Sequence, residues 1–261
     1  MKPIYIVSWL FALAVSFVSC DDWLDKTPKD RLYPDVYFKT EDELRLFTNQ
    51  FYNNLVPSAV DIYSESSDLI VKSDLMLEMS GQRIIPDEGN GWNFTALRDI
   101  NFYLQYSHNC TEVNARNRYD GVARFFRAYF YFEKVKRYGD IPWYDKALDS
   151  DDPELYKARD SREFVMQKML EDLDFAIANL PKTKNAYVLT RWTALALKSR
   201  VCLFEGTFRK YHGLEDCEKY LNACVSASET FMNESGYTLY KSGSTPYRDL
   251  FASINLQADE V

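Results

Sequence analysis

Between Asp160 and Pro181 the apolar residues Met166, Leu170, Leu173, Ile177 and Leu180 recur at spacings of four, three, four and three. A helix gathers such residues on one face, because a turn takes about 3.6 residues. A stripe of this kind cannot bury itself and must lie against another helix. Both ends of the segment are marked. Asp160 with Glu163 reads as a capping pair, and Pro181 cannot continue the helix.

The same rhythm returns along the chain. Thr40 with Glu43 reads as a capping box, Glu41 and Asp42 stand where the helix start favours acids, and Leu44, Phe47, Phe51 and Leu55 supply an apolar face up to Pro57. A polar, glycine-containing loop over about residues 80–93 precedes a second helix with Thr95, Leu97, Ile100 and Leu104. A third is predicted from about Arg118 to Tyr138, with Val122, Phe125, Phe126, Tyr129, Phe132 and Val135 in the core and Gly139 ending it in a left-handed turn. Ile141 and Pro142 carry the chain out extended. Behind Thr190, Ala194, Leu197, Val201, Phe204 and Phe208 mark another helix, and Leu221, Val225, Ser228 and Phe231 one more, ending near Gly236. The expected fold is mainly all-α, built of antiparallel helix pairs. Ala176-Ile177-Ala178-Asn179-Leu180-Pro181 is like the close of a tetratricopeptide unit, and Ala194 and Ala196 let neighbouring helices approach. No strand followed by a glycine-rich turn and a helix appears, which argues against a nucleotide fold.

The net charge of −8, without a long basic run, makes nucleic acid an unsuitable partner. Aromatic residues make up 16% of the chain, nineteen of them tyrosines, a usage suited to interfaces and sugar sites. His108 and His212 are the only histidines and no CxxC occurs, so zinc sites and Ser-His-Asp triads lack raw material, and neither metal nor cofactor is expected. Beyond Cys20 stand Cys110, Cys202, Cys217 and Cys224. The last two lie seven residues apart on one predicted helix, about 10 Å of rise and out of disulfide reach. Mostly buried free thiols are expected.

The N-terminus carries a different message. Lys2 is the only charged residue before Cys20, and Ile4 to Val18 is an uncharged, largely apolar run. It is shorter than the roughly 20 residues a membrane-spanning helix needs and has the basic start and apolar middle of a secretory signal. Phe17-Val18-Ser19-Cys20 resembles a bacterial lipobox, in which the cysteine thiol receives a diacylglycerol and the chain is cut before it. The competing reading is an ordinary cleaved signal with an incidental cysteine. The predicted organisation is a signal peptide over residues 1–19, a lipidated tether over 20–39 containing Pro28 and Pro34, and a helical domain over 40–261. The end of the chain, from Tyr247 to Val261, has no polar tail and reads as a truncation. A natural terminus after one more strand is the alternative.

The segment GVARFFRAYFYFEKVKRYGDIPW, starting at Gly121, resembles the SusD/RagB family of outer-membrane nutrient-binding lipoproteins. Val122 and Phe126 stand where the family's usual form has glutamate and leucine. Further matches follow in order: Arg159 to Pro181, Thr190-Arg191-Trp192-Thr193-Ala194, Gly236-Tyr237-Thr238-Leu239-Tyr240, and the opening Cys20-Asp21-Asp22-Trp23-Leu24-Asp25 with Pro28. The set runs through the whole chain and corresponds to the N-terminal half of family members. The resemblance implies a tetratricopeptide-like platform with inserted ligand loops, held at the cell surface in the outer membrane by the lipid on Cys20. It also implies a SusC-like TonB-dependent barrel as partner and an oligosaccharide, or sometimes a peptide, as ligand. Asp21 and Asp22 resemble the surface-export signal of such bacteria.

Sugar recognition needs an aromatic face for the pyranose ring and planar polar groups for its hydroxyls. Trp92 and Asn93, with Arg83 and Asp87 in the same loop, offer these types together and form the candidate ligand site; the structural alternative makes Trp92 a packing staple of the helix that follows. Trp143 and Tyr144 form a second candidate pair, with the core edge or the barrel interface as the competing role. Asp151-Asp152 and Glu41-Asp42 read as a solvated loop and a helix start, so no catalytic residue is assigned and a glycoside hydrolase is the less favoured reading. The remaining alternative is a helical scaffold that binds a protein partner without a small ligand.

Overall fold

The structure, a computed structural model, describes residues 36–56, 80–82, 84 and 91–252. The chain divides into Met1–Tyr37 and Phe38–Val261. Of the first unit only Val36 and Tyr37 are described, so the architecture that follows is that of the second. Cys20, the proposed tether to Pro34, Arg83 and Asp87 lie outside the described residues.

Helices run over Glu41–Leu55 (α1), Thr95–Tyr106 (α2), Val113–Tyr138 (α3), Arg162–Asn179 (α4), Arg191–Tyr211 (α5), Cys217–Glu234 (α6) and Pro246–Ala252 (α7), with short 3-10 turns at Ser107–Asn109 and Pro153–Tyr156. No strand occurs among the described residues, and only an isolated antiparallel bridge joins Ile141 to Asp160. The fold is all-α, as the periodicity predicts. α3 lies at the centre, against α1, α2 and α4, and the stack continues from α4 to α5 and from α5 to α6. Contacts of Arg127 with Asp172 and Gly121 with Leu180, of Arg209 with Glu163 and Lys198 with Asp174, and of Ser199 with Ser228 and Gly206 with Leu221 show that α3 to α6 run antiparallel in succession.

Local side-chain caps set three of the helix starts. Thr40 and Glu43 form the expected reciprocal capping box on α1, and Thr190 forms one with Thr193 on α5. Two boundaries differ from expectation. α3 begins at Val113 rather than near Arg118. α4 is capped by Ser161, whose Oγ accepts the Phe164 N–H, and not by Asp160. Asp160 is drawn away because its Oδ2 accepts the Trp143 N–H at 2.7 Å and pairs with Lys157 at 2.9 Å. Glu163 turns instead to Arg209, Lys219 and Tyr220. Tertiary partners thus displace the local capping pair.

The core is largely aromatic. Phe38 is fully buried, with ring centroids 5.0 Å from Phe47 and 5.5 Å from Tyr103, both edge-on. Phe51 continues the cluster to Phe126 on α3. Phe38 has φ of 64°, a left-handed conformation that costs a bulky residue roughly 1–3 kcal/mol. Burial of its ring offsets that cost and fixes the entry to α1. On α3, Val122, Phe125, Phe126, Phe132 and Val135 are buried as expected, whereas Tyr129 is only half-buried. On α6, Val225 is 53% exposed, contrary to its predicted place on the apolar face, and Tyr220 and Ala227 are the buried residues of that helix.

Several charged and amide groups inside the stack are paired across helices. Arg127 and Asp172 join α3 to α4, and Arg127 Nη1 also donates to Asn101 Oδ1 on α2 at 3.2 Å. Asn101 Nδ2 in turn donates to the carbonyls of Tyr144 and Lys146 at 2.8 and 3.2 Å, so Arg127 and Asn101 together tie three helices to the loop after α3. Glu205, fully buried on α5, accepts from Arg162 on α4 and from Arg209 one turn along. Gly121 packs against the end of α4, with a β-carbon position 3.4 Å from Leu180 Cγ and 3.7 Å from Ala176 Cα.

Candidate functional site

The loop entering α2 is placed by glycine and lysine chemistry. Gly91 has φ of 84°, and a β-carbon there would stand 3.2 Å from the Tyr138 hydroxyl and 3.3 Å from Arg137 Nη1. Its carbonyl accepts a hydrogen bond from Lys134 Nζ on α3. Asn93 Oδ1 accepts the Thr95 N–H at 2.8 Å, so this side chain closes the turn that starts α2.

Trp92 is half-buried in a small cluster, with Phe94 and Tyr138 edge-on at 5.2 and 4.9 Å. The Arg159 guanidinium stands 5.0 Å from its ring centre. One aromatic face is therefore occupied by a cation from the loop before α4.

Asn93 opens on a groove of about 570 Å³ that it shares with Asn54 and Leu55 of α1, Thr95, Ala96 and Asp99 of α2, and Tyr129, Phe130, Glu133 and Lys134 of α3. Three helices contribute, and the lining mixes two planar amides, two carboxylates, an ammonium group, a phenol and an apolar ring. Partial burial raises the Asp99 carboxyl above its usual range against the pull of Arg98. Burial and the neighbouring Arg137 lower the Lys134 ammonium. Burial raises the Tyr129 phenol, Glu133 adds to the shift and Arg200 opposes it. Such a groove can hydrogen-bond a polyhydroxylated ligand in several directions while presenting aromatic surface.

Trp143 and Tyr144, the second candidate pair, are buried. Trp143 stacks on Tyr131 at 4.2 Å and 24° and sits 5.2 Å from the Arg127 guanidinium. The Tyr144 N–H donates to the Tyr131 hydroxyl at 2.7 Å. Tyr144 also borders a separate cavity of about 270 Å³ with Phe94, Arg98, Asn101, Lys146, Leu148 and Leu155. Of the sequence-predicted residues, then, Asn93 lines the groove of about 570 Å³ and Trp92 is its chain neighbour, Trp143 and Tyr144 are buried outside that groove with Tyr144 linked to Trp92 through the Phe94 ring, and Arg83 and Asp87 are outside the described residues.

Asn54, Asp99 and Tyr129 carry no sequence signal of a shared site. Each lies on a different helix, and Tyr129 falls on the spacing of the core stripe. His108 and Cys110 make local contacts, His108 Nδ1 with the Gln105 carbonyl at 2.9 Å and Cys110 Sγ with the Glu112 carbonyl at 4.0 Å. No group of three or more metal-ligating side chains occurs among the described residues.

A family model named SusD-like, described as starch-binding associating with outer membrane, matches residues 58–191. SusD-like protein P38 of Formosa agariphila is 24% identical over 226 residues, covering 78% of this chain and 43% of that protein. Among solved structures, a SusD-like protein from Bacteroides fragilis aligns with a TM-score of 0.67 at 23% identity, covering 86% of this chain and 44% of the other. A laminarin-binding SusD-like protein aligns with a TM-score of 0.51 at 17% identity, covering 64% of this chain and 34% of the other. The chain thus spans less than half the length of the proteins it matches.

Proposed function

The chain belongs to the SusD-like family, and from that premise we propose that it is the N-terminal half of a lipid-anchored, surface-exposed outer-membrane protein that captures oligosaccharide and passes it to a SusC-like TonB-dependent barrel. The observation that carries the ligand reading is the groove at the start of α2, where Asn54, Asn93, Asp99, Tyr129 and Glu133 converge from separate elements. Its chemistry suits hydroxyl-rich molecules. The family description and the ligand of the laminarin-binding relative point to the same class.

The ligand contacts in this reading come from Asn93 and Tyr129, with Trp92, Arg83 and Asp87 contributed by the preceding loop. Trp143 and Tyr144 stiffen the loop after α3 through Tyr131 and Asn101. The protein binds its ligand without breaking a bond. Cys20 carries the lipid, and the segment that follows it, rich in polar residues, acts as the lead to the folded body.

Calorimetry of the complete lipid-free protein against α-glucans, β-glucans and short peptides tests this reading. Saturable binding of one oligosaccharide class supports capture. Binding of peptides alone would redirect the ligand assignment, and barrel association without any ligand would favour the scaffold. Release of reducing ends during incubation would overturn the proposal of a non-catalytic binder.

A further inference from the structure

α5 and α6 approach unusually closely along part of their length. At Gly206 a β-carbon would lie 2.8 Å from Leu221 Cγ and 3.1 Å from the Leu221 backbone nitrogen, so only a residue without a side chain fits. Two turns back along α5, Ser199 Oγ stands 2.7 Å from Ser228 Oγ and 3.5 Å from Cys224 Sγ. Cys202 and Cys224 fall between these two contacts. Cys202 is one turn from Gly206 and shares its face with Ser199, while Cys224 lies three residues from Leu221 and four from Ser228. The antiparallel register therefore sets the two cysteines on neighbouring turns of the facing helices. Both are free thiols in the structure, Cys202 buried and Cys224 partly exposed.

We propose that Cys202 and Cys224 form a disulfide that staples α5 to α6 when the chain meets an oxidised dithiol catalyst, the kind of oxidant present outside the cytoplasm. Close helix contact on both sides of the pair is the setting a disulfide needs, since its α-carbons must come within about 4.4–6.8 Å of each other. The partly exposed Cys224 is the thiol a catalyst reaches first. Its thiolate attacks the catalyst's disulfide and expels one catalyst thiolate, leaving a mixed disulfide. Cys202 then gives up its proton and attacks Cys224 Sγ, expelling the second catalyst thiolate. One S–S bond forms in the protein as one breaks in the catalyst. The two protons lost by the protein's thiols are matched by those the two catalyst thiolates take up.

Burial pushes the Cys202 thiol up to about 12, with Lys198 opposing and Cys224 adding to the shift. The second step is consequently slow once the helices have packed and faster while they assemble. Cys217 does not compete for Cys224, since seven residues on one helix separate them by about 10 Å. The disulfide goes beyond the ligand-binding reading and holds or fails independently of it.

The test refolds the full chain from its reduced, unfolded state in a glutathione redox buffer, blocks remaining thiols with N-ethylmaleimide, and maps unreduced peptides by mass. The expected result is a linked peptide pair containing Cys202 and Cys224, lighter by two hydrogens than the two thiol peptides, with Cys20, Cys110 and Cys217 blocked. Cys224→Ser removes the link and leaves Cys202 as a thiol. The oxidised protein should melt several degrees above the same sample after reduction. Complete blocking of Cys202 and Cys224 after refolding, or a link from either to Cys110 or Cys217, would overturn the proposal.

Discussion

Arg127 on α3 and Asp172 on α4 meet as a two-pronged ion pair inside the helical stack, with Nε 2.6 Å from Oδ2 and Nη2 2.7 Å from Oδ1. Both side chains are at least nine-tenths buried. Arg124 Nη1 approaches the same carboxylate at 3.6 Å, and Asn101 accepts from Arg127, so the charge sits in a nearly complete shell. The pair also reaches beyond α3 and α4. Through Asn101 it determines where the loop carrying Tyr144 runs, and that loop borders α2.

Removing the carboxylate leaves a guanidinium buried without its counter-charge. Asp172→Ala should therefore destabilise the folded chain by about 3–5 kcal/mol, read from urea unfolding. Replacing both residues by apolar ones of similar volume, Arg127→Met with Asp172→Leu, should restore most of that loss. A small effect of Asp172→Ala alone would mean that the pair is solvated in solution.

Phe38 offers a test of stored backbone strain. Phe38→Ala removes a fully buried ring from contact with Phe47 and Tyr103 and should cost about 3–5 kcal/mol, as buried aromatic deletions do. Alanine also keeps the penalty of a positive φ. Glycine accepts that conformation freely. Phe38→Gly should accordingly be no less stable than Phe38→Ala, reversing the usual order, in which glycine is worse by about 0.5–1 kcal/mol in regular structure. Thermal melts of the two variants decide the order, and a clearly less stable glycine variant would contradict the strained backbone.

These residues also show where the sequence was a sufficient guide. The starts of α1 and α5 were legible because Thr40 with Glu43 and Thr190 with Thr193 satisfy neighbouring backbone groups without outside help. The start of α4 misled. Asp160 and Glu163 have the right spacing for a cap, but the Trp143 N–H and the Arg209 guanidinium, distant in sequence, hold them instead. The apolar stripe of α3 correctly marked Phe126 and Phe132 as core, yet could not separate them from Tyr129, whose exposure depends on what α1 and α2 place opposite it. For the same reason the sequence singles out Asn93 through the loop chemistry around it, while nothing in it links Asn54 and Asp99, on helices that read as ordinary packing elements, to the groove that Asn93 also lines.

Glu163 gives a pH dependence with a definite sign. Partial burial alone pushes its carboxyl up, but Arg209, the Tyr220 hydroxyl and Lys219 outweigh burial and hold it below its ordinary value of 4.5. A carboxyl whose folded value is depressed binds fewer protons in the folded state than in the unfolded one. Its stabilising contribution is present in full above the unfolded value and disappears as pH falls through the lower folded value. Glu163→Gln should thus be less stable than the natural chain at neutral pH, and the gap should close below about 4.5. Unfolding midpoints measured from neutral to acid pH would show the two curves converging. A gap that stays constant to the acid limit would assign the loss to packing rather than charge.

Tyr129 is the residue that best separates the groove from the cluster around Trp92. It is half-buried on α3 and lines the groove with Asn54, Asn93, Asp99 and Glu133, so truncating it removes groove-facing aromatic surface with little disturbance of the core. Tyr129→Ala should weaken oligosaccharide binding by roughly tenfold, equivalent to about 1.4 kcal/mol, and leave the melting temperature nearly unchanged. Arg159→Ala is the matched control, because it uncovers the Trp92 face without touching the groove lining. If sugar stacks on Trp92, losing Arg159 should alter affinity more than losing Tyr129. If the groove holds the sugar, the order reverses. Calorimetry of the two variants with the same oligosaccharide distinguishes these outcomes, and unchanged affinity in Tyr129→Ala would remove the groove from the ligand site.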